Sequence, residues 1–223
     1  YDLISAPVVN DQGKLVGRIT IDDVVDVITD EAEHNYLSRV GLGEEDDMFA
    51  PILISTRRRA IWLGLNLITA FLASVVIGLF EDTLEKVVAL AVLMPIVASM
   101  GGIAGSQTLT LVIRGLAVGQ ISFANAKPLL IKEMSVAAIN GLIWAVVVAV
   151  IAIIWFGEVS IGLIIGFAII INLLMGVISG LTIPLILRRL NIDPALAGGV
   201  VLTTITDIIG FLAFLGLATI IFL

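Results

Sequence analysis

The sequence has no cysteine and a single histidine, His34, among its 223 residues. The first absence removes a disulfide scaffold, a thiol nucleophile and a thiolate metal site. The second leaves no Ser/His/Asp set, because His34 stands in the polar N-terminal segment. Charge is also scarce. Charged residues make up 14% and apolar residues 59%, with a mean hydropathy of +1.15. Ordinary soluble domains carry about 25% charged and about 45–50% apolar residues, so such a domain is excluded, as is a disordered chain. Walker and Rossmann glycine patterns are missing. An intramembrane aspartyl protease needs two acids deep in the membrane, and the chain offers one. No enzyme is expected, and no tandem repeat is visible. The chain begins at Tyr1 without Met and reads as a fragment. Residues 1–20 lack the basic start and continuous apolar core of a signal peptide.

What remains is an unequal division of charge. Residues 1–59 hold twelve acids and six bases, and residues 60–223 hold seven and six. An acidic front attracts cations rather than nucleic acid. The composition breaks at Arg57, Arg58 and Arg59. Beyond it lie uncharged runs at 60–80, 87–113, 134–157 and 159–187, and an apolar stretch at 194–223 broken only by Asp207. A bilayer core of about 30 Å takes about 20 helical residues, and the alternation of a barrel is absent. Five transmembrane helices are predicted. Eight of the nine Lys and Arg residues flanking them fall on one side, with only Lys86 opposite. That side should be cytoplasmic, with the N-terminus inside and the C-terminus outside.

Within the spans, Pro95 and the series Gly101, Gly102, Gly105, Ser106 and Gln107 point either to close helix packing or to a pore lining. Glu133, where the third span enters the membrane, reads as an interfacial carboxylate paired with Lys132 or a nearby base. Gly162/Gly166 and Gly176/Gly180 read as packing faces. Asp207 is the one carboxylate near mid-span, where burial costs about 2.5–3.5 kcal/mol. It is a functional candidate by default, or else a protonated, hydrogen-bonded acid at a helix interface. Thr203 and Gly199 share its face, and Gly199 and Gly210 are expected to leave width around it.

In the polar front, residues 6–9 and 14–20 read as two strands joined by a turn at 10–13. A helix follows, with Thr20 as N-cap and Asp23 at its third position. Val24, Val25, Ile28 and Ala32 form its apolar side. Two strands and one helix cannot bury a core alone, so something must complete them. Asp22, Asp23, Asp26, Asp30, Glu31, Glu33, Glu44, Glu45, Asp46 and Asp47 crowd this segment. They form either a solvated face or a low-affinity site for a hard cation.

Two resemblances follow from particular residues. Pro7-Val8-Val9, then Gly13-x-Leu15-Val16-Gly17-x-Ile19-Thr20-x-x-Asp23, resembles the second half of a CBS domain. In CBS modules that Thr/Asp pair often holds the ribose and phosphate of an adenine nucleotide, though here a cap is the favoured role. The rest resembles the MgtE family of magnesium channels/transporters through Arg59-x-x-Trp62-Leu63, Phe80-Glu81, Pro95 and Gly101-Gly102-x-x-Gly105-x-Gln107. Ile113-Arg114-Gly115-Leu116-Ala117, Lys132-Glu133-Met134, Arg188-Arg189-Leu190, Asp193-Pro194-Ala195 and Thr206-Asp207-x-x-Gly210 continue the match. The fold implied is an all-α polytopic membrane domain of five transmembrane helices. It is preceded by a partial α/β CBS domain and a connecting plug helix. Residues 1–38 would be the end of the CBS domain, 39–59 the acidic plug segment and 60–223 the pore domain.

The resemblance implies a homodimer in the cell membrane with one shared pore, lined by the second and fifth spans. Mg²⁺ would be both the transported and the regulatory ion, driven by the membrane potential. Asp207 would hold hydrated Mg²⁺ with the partner's copy, Thr203 offering a carbonyl or hydroxyl. The acids among Asp22, Asp23, Asp26, Glu44, Glu45, Asp46 and Asp47 would close the pore when Mg²⁺ is abundant, and Glu133 is a further candidate ligand. The family often has Asn where Ile103 stands, and a polar residue near Gly199. Those departures keep open a channel or exchanger for another divalent cation such as Co²⁺ or Mn²⁺. In another class stands a CBS-regulated membrane scaffold that moves no ion.

Overall fold

The structure is a computed structural model, and it describes residues 4–38, 49, 51–121 and 125–223. The chain divides into two compact units, residues 1–59 and 60–223.

The first unit opens with an antiparallel hairpin of β1 (Ser5–Val9) and β2 (Leu15–Thr20), with a bulge between Val8 and Val9. Its turn is built by Asn10, whose Oδ1 accepts from the backbone N–H of Gln12 (3.1 Å) and Lys14 (2.9 Å). Gly13 takes φ +73°, a conformation that costs other residues a Cβ clash. Helix α1 (Ile21–Ser38) follows directly. One oxygen of Asp23 accepts from both the N–H (2.8 Å) and the hydroxyl (2.7 Å) of Thr20. Those two bonds hold the Asp23 carboxyl below the usual carboxylate range, the backbone bond contributing most. Asp23 thus reaches back to Thr20 as in the reciprocal half of the expected capping box. Val24, Val25 and Ile28 are 41%, 52% and 61% exposed, so the apolar side of α1 has no core to enter among the described residues.

The membrane unit contains α2 (Ile52–Gly78) from Ala60 onward, the short α3 (Glu81–Lys86), α4 (Ala89–Ala117), α5 (Ala126–Phe156), α6 (Val159–Arg189) and α7 (Pro194–Phe222). All but α3 are long and apolar enough to cross a membrane. The helical segments run past the uncharged stretches. α2 begins at Ile52 and passes through Arg57, Arg58 and Arg59 without a break, and α5 begins at Ala126. Arginine and lysine favour helix, so those charges mark a polarity boundary and not a helix end. Gly157, at φ +74°, closes α5 in the left-handed conformation and lets α6 start two residues later. Asp193 caps α7 through the N–H of Ala195 (2.9 Å), with Pro194 at the first helical position.

Helix α6 is the centre of this unit, and its glycines explain why. A Cβ at Gly162 would stand 2.8 Å from the carbonyl of Ala149 on α5, and one at Gly166 3.5 Å from that of Ala145. A Cβ at Gly176 would stand 2.6 Å from the Gly101 carbonyl on α4, and one at Gly180 2.5 Å from that of Gly105. One small-residue pair therefore seats α5, and the other seats α4. Lipid tails are as apolar as leucine, so such close approach is how membrane helices gain attraction for one another. Leu90, Val97, Ile165, Ile169, Phe214 and Leu215 fill the core around α6.

Candidate ion site in the membrane unit

α4 and α7 form the two walls of one cavity. The cavity is an open concavity of about 970 Å³, lined by Gly102, Ile103, Ser106 and Gln107 among others on α4, and by Thr203 and Asp207 on α7. The second and fifth spans, singled out by the resemblance, thus meet at one site. Asp207 is half-buried, and it has no ion-pair or hydrogen-bond partner among the described residues. Its charge faces the cavity uncompensated. Thr203 lies one turn before it. The Thr203 hydroxyl donates to the carbonyls of Gly199 and Val200 (both 3.1 Å), which leaves its oxygen as an acceptor towards the cavity. A hydroxyl so committed can accept a hydrogen bond from a water of a hydrated cation.

The glycine series on α4 has two jobs. Gly101 and Gly105 are buried against α6 and α7, while Gly102, Ser106 and Gln107 line the cavity. The two readings of that series apply to different faces of one helix. Gly210 departs from expectation: a Cβ there would stand 2.6 Å from Asn172 and 3.2 Å from Val97, so it provides packing room and no cavity width. A Cβ on Gly199 would meet nothing within 4 Å.

Asn172 on α6 is the residue that sequence reasoning missed. It is fully buried, its Nδ2 donates to the Val97 carbonyl on α4 (2.7 Å), and its Oδ1 has no partner. Gly101 and Gly210 both give way to this one side chain, so it touches each wall of the cavity from behind. Val97 immediately precedes the cavity-lining residues of α4, and Gly210 lies one turn beyond Asp207. A lone amide inside a 29-residue uncharged run was the available signal, but a search by charge passes over it. We expect Asn172→Ala to destabilise the purified protein by about 2–3 kcal/mol, through the lost bond and the void between two glycines. A thermal-unfolding midpoint in detergent equal to that of the parent would contradict this.

The other candidates lie elsewhere. Glu133 is buried, pairs with Lys132 (Nζ to Oε1 3.1 Å) as expected, and lines an adjoining crevice between α4 and α5. Asp22, Asp23 and Asp26 stand exposed on α1. Glu44, Glu45, Asp46 and Asp47 fall outside the described residues. Among the described residues no three acidic or histidine side chains gather into a metal cluster.

A helical unit with five candidate spans, and a mid-span carboxylate open to a cavity between two of them, defines the class: a polytopic membrane protein suited to handling cations. The chain belongs to the MgtE family, since a family model described as "MgtE: Divalent cation transporter" matches residues 94–217, more than half of it. Over 219 residues it is 36% identical to the magnesium transporter MgtE of Bacillus subtilis. It is 32% identical over 222 residues to the magnesium transporter MgtE of Thermus thermophilus. The corresponding protein of Enterococcus faecalis is 27% identical over 219 residues. Each alignment takes in 98% of this chain, and the chain spans about half the length of these relatives. The family is one of transporters, not enzymes.

Proposed function

We propose that this chain supplies the pore of a gated homodimeric channel through which the membrane potential drives Mg²⁺ into the cell. The observation that carries this reading is Asp207, a carboxylate at the α4/α7 cavity with no countercharge among the described residues. Two copies related by a two-fold axis would set their Asp207 groups opposite each other. Two like charges repel there unless a divalent ion sits between them. Mg²⁺ sheds water reluctantly and uses few carboxylates, so a wide, sparsely charged site suits its hydrated form and lets it leave again. Glu133 lies outside this cavity, so the permeation reading rests on Asp207 with Thr203. Ile103, an apolar wall residue, favours as second reading a channel less selective among divalent ions. The test is flux into liposomes with Mg²⁺, Ca²⁺, Mn²⁺ and Co²⁺ compared. Entry of none of the four ions would sink the transport reading and leave the scaffold.

The orientation proposed is N-terminus in and C-terminus out, from the eight flanking bases on one side. A reporter fused after Leu223 should be active only outside the cell. Activity in the cytoplasm would reverse the assignment.

Regulation would reside in the acidic front. Asp22 and Asp26, with Glu44, Glu45, Asp46 and Asp47, crowd negative charge that a hard cation would screen. Millimolar Mg²⁺ should then slow limited proteolysis within residues 22–58. Equal cleavage with and without Mg²⁺ would leave these acids as a solvated face only.

A further inference from the structure

The crevice that holds Glu133 has a volume of about 430 Å³ and adjoins the Asp207 cavity along one face of α4, where Ile103, Gln107 and Leu111 border both. α4 and α5 form its sides, and Leu173 and Val177 of α6 lie at its floor. Its residues are ordered by polarity. Where α5 enters the membrane stand Lys132, whose side chain is 67% exposed, and Glu133, which is 7% exposed. Asn140 lines the crevice two turns further along α5, about 10 Å deeper at about 1.5 Å per residue. Trp144 is a turn beyond, about 16 Å from Glu133 by the same rise. On the α4 side Gln107 supplies a second carboxamide, and Met100 lies two turns from it. One end therefore offers an adjacent cation and anion, the middle two carboxamides, and the far end apolar side chains.

A glycerophospholipid presents its groups in that same order: charged head group, ester carbonyls, acyl chain. We propose that this crevice is a binding site for an aminophospholipid. The lipid ammonium sits at the Glu133 carboxylate, and the phosphodiester sits at the Lys132 ammonium. The ester carbonyls accept from the carboxamides of Gln107 and Asn140. One Asn140 N–H is already given to the Val136 carbonyl (3.1 Å), and the second remains for the ligand. The acyl chain runs over Met100, Trp144 and Val177. Lys132 meets only one Glu133 oxygen, Oε1, and a head group that donates hydrogen bonds would meet the other, which burial otherwise makes costly. A primary ammonium does so, whereas a choline offers only methyl groups and a glycerol head group brings no positive charge. An apolar helix of a second copy laid in the crevice would offer no partner to the second Glu133 oxygen or to the remaining N–H groups of the two carboxamides. The bases at the membrane-entry end place the phosphate at head-group depth, where Lys and Arg meet lipid phosphate.

This inference stands on the crevice alone and is independent of ion transport. The test is native mass spectrometry of the chain released from vesicles of equal parts phosphatidylethanolamine, phosphatidylglycerol and phosphatidylcholine with identical acyl chains. The expected result is retention of phosphatidylethanolamine at least about fivefold over each of the others. Glu133→Gln should abolish that preference while leaving total bound lipid little changed. Should Glu133→Gln fail to fold, Asn140→Leu should lower phosphatidylethanolamine retention in its place. Retention without head-group preference, or the same preference in the folded variant, overturns the proposal. So does release of the lipid by millimolar Mg²⁺ alone, which would make Glu133 a cation ligand, or a cross-link from position 140 to a second copy with no lipid retained.

Discussion

Asp207→Asn should lower Mg²⁺ flux by roughly 100-fold while leaving a folded protein. The carboxamide keeps the shape of the carboxylate and removes its charge. At an effective dielectric of about 20 and about 5 Å, one carboxylate attracts a divalent ion by about 6 kcal/mol. If hydration and screening leave about half of that, the loss is about 3 kcal/mol, or two decades in ion occupancy. Asp207 has no partner among the described residues, so the substitution orphans no other charge there, and stability should not fall. Flux in proteoliposomes, read beside the thermal midpoint in detergent, separates the two effects. Parent-like Mg²⁺ flux with unchanged selectivity would remove Asp207 from the pathway.

Gly176→Ala should lower stability and flux together. The added Cβ would lie 2.6 Å from the Gly101 carbonyl and 3.2 Å from the Gly105 amide, and both are backbone atoms that cannot swing aside. Either α4 must move away from α6 or both helices must bend. Overpacking of this kind costs about 1–3 kcal/mol, or a fall of roughly 2–12 °C in midpoint for a chain of this size. Because α4 carries one wall of the Asp207 cavity, flux should fall as well. Gly216→Ala is the control. A Cβ there meets nothing within 4 Å, so the midpoint should hold or rise slightly through better helix propensity. Equal midpoints for the two variants would mean that α4 and α6 are not in close backbone contact.

The difference between those two glycines also marks what a sequence can convey. Span number, the hairpin and the Thr20/Asp23 cap were legible, because each depends on neighbours within about one turn or one uncharged run. Asp207 was legible because a charge at mid-span is rare. The face each glycine presents was not legible, since that depends on which helix lies opposite. Gly101 and Gly102 are adjacent in sequence, yet one packs on α6 and the other lines the cavity. Gly210 looked like room around Asp207 and instead makes room for Asn172. The start of α2 at Ile52 escaped for another reason: charge ends an apolar run but does not end a helix.

The absence of cysteine offers a direct reading of the ion site. Ser106 lines the cavity from α4, so Ser106→Cys places the chain's one thiol opposite Asp207 without altering either α7 residue. The rate at which a charged methanethiosulfonate modifies that thiol should fall as Mg²⁺ is added, because an ion held at Asp207 blocks the approach. In the double variant Ser106→Cys/Asp207→Asn, the same Mg²⁺ should leave the rate unchanged. Protection of equal extent in both variants, or in neither, would contradict the claim that Asp207 holds the ion.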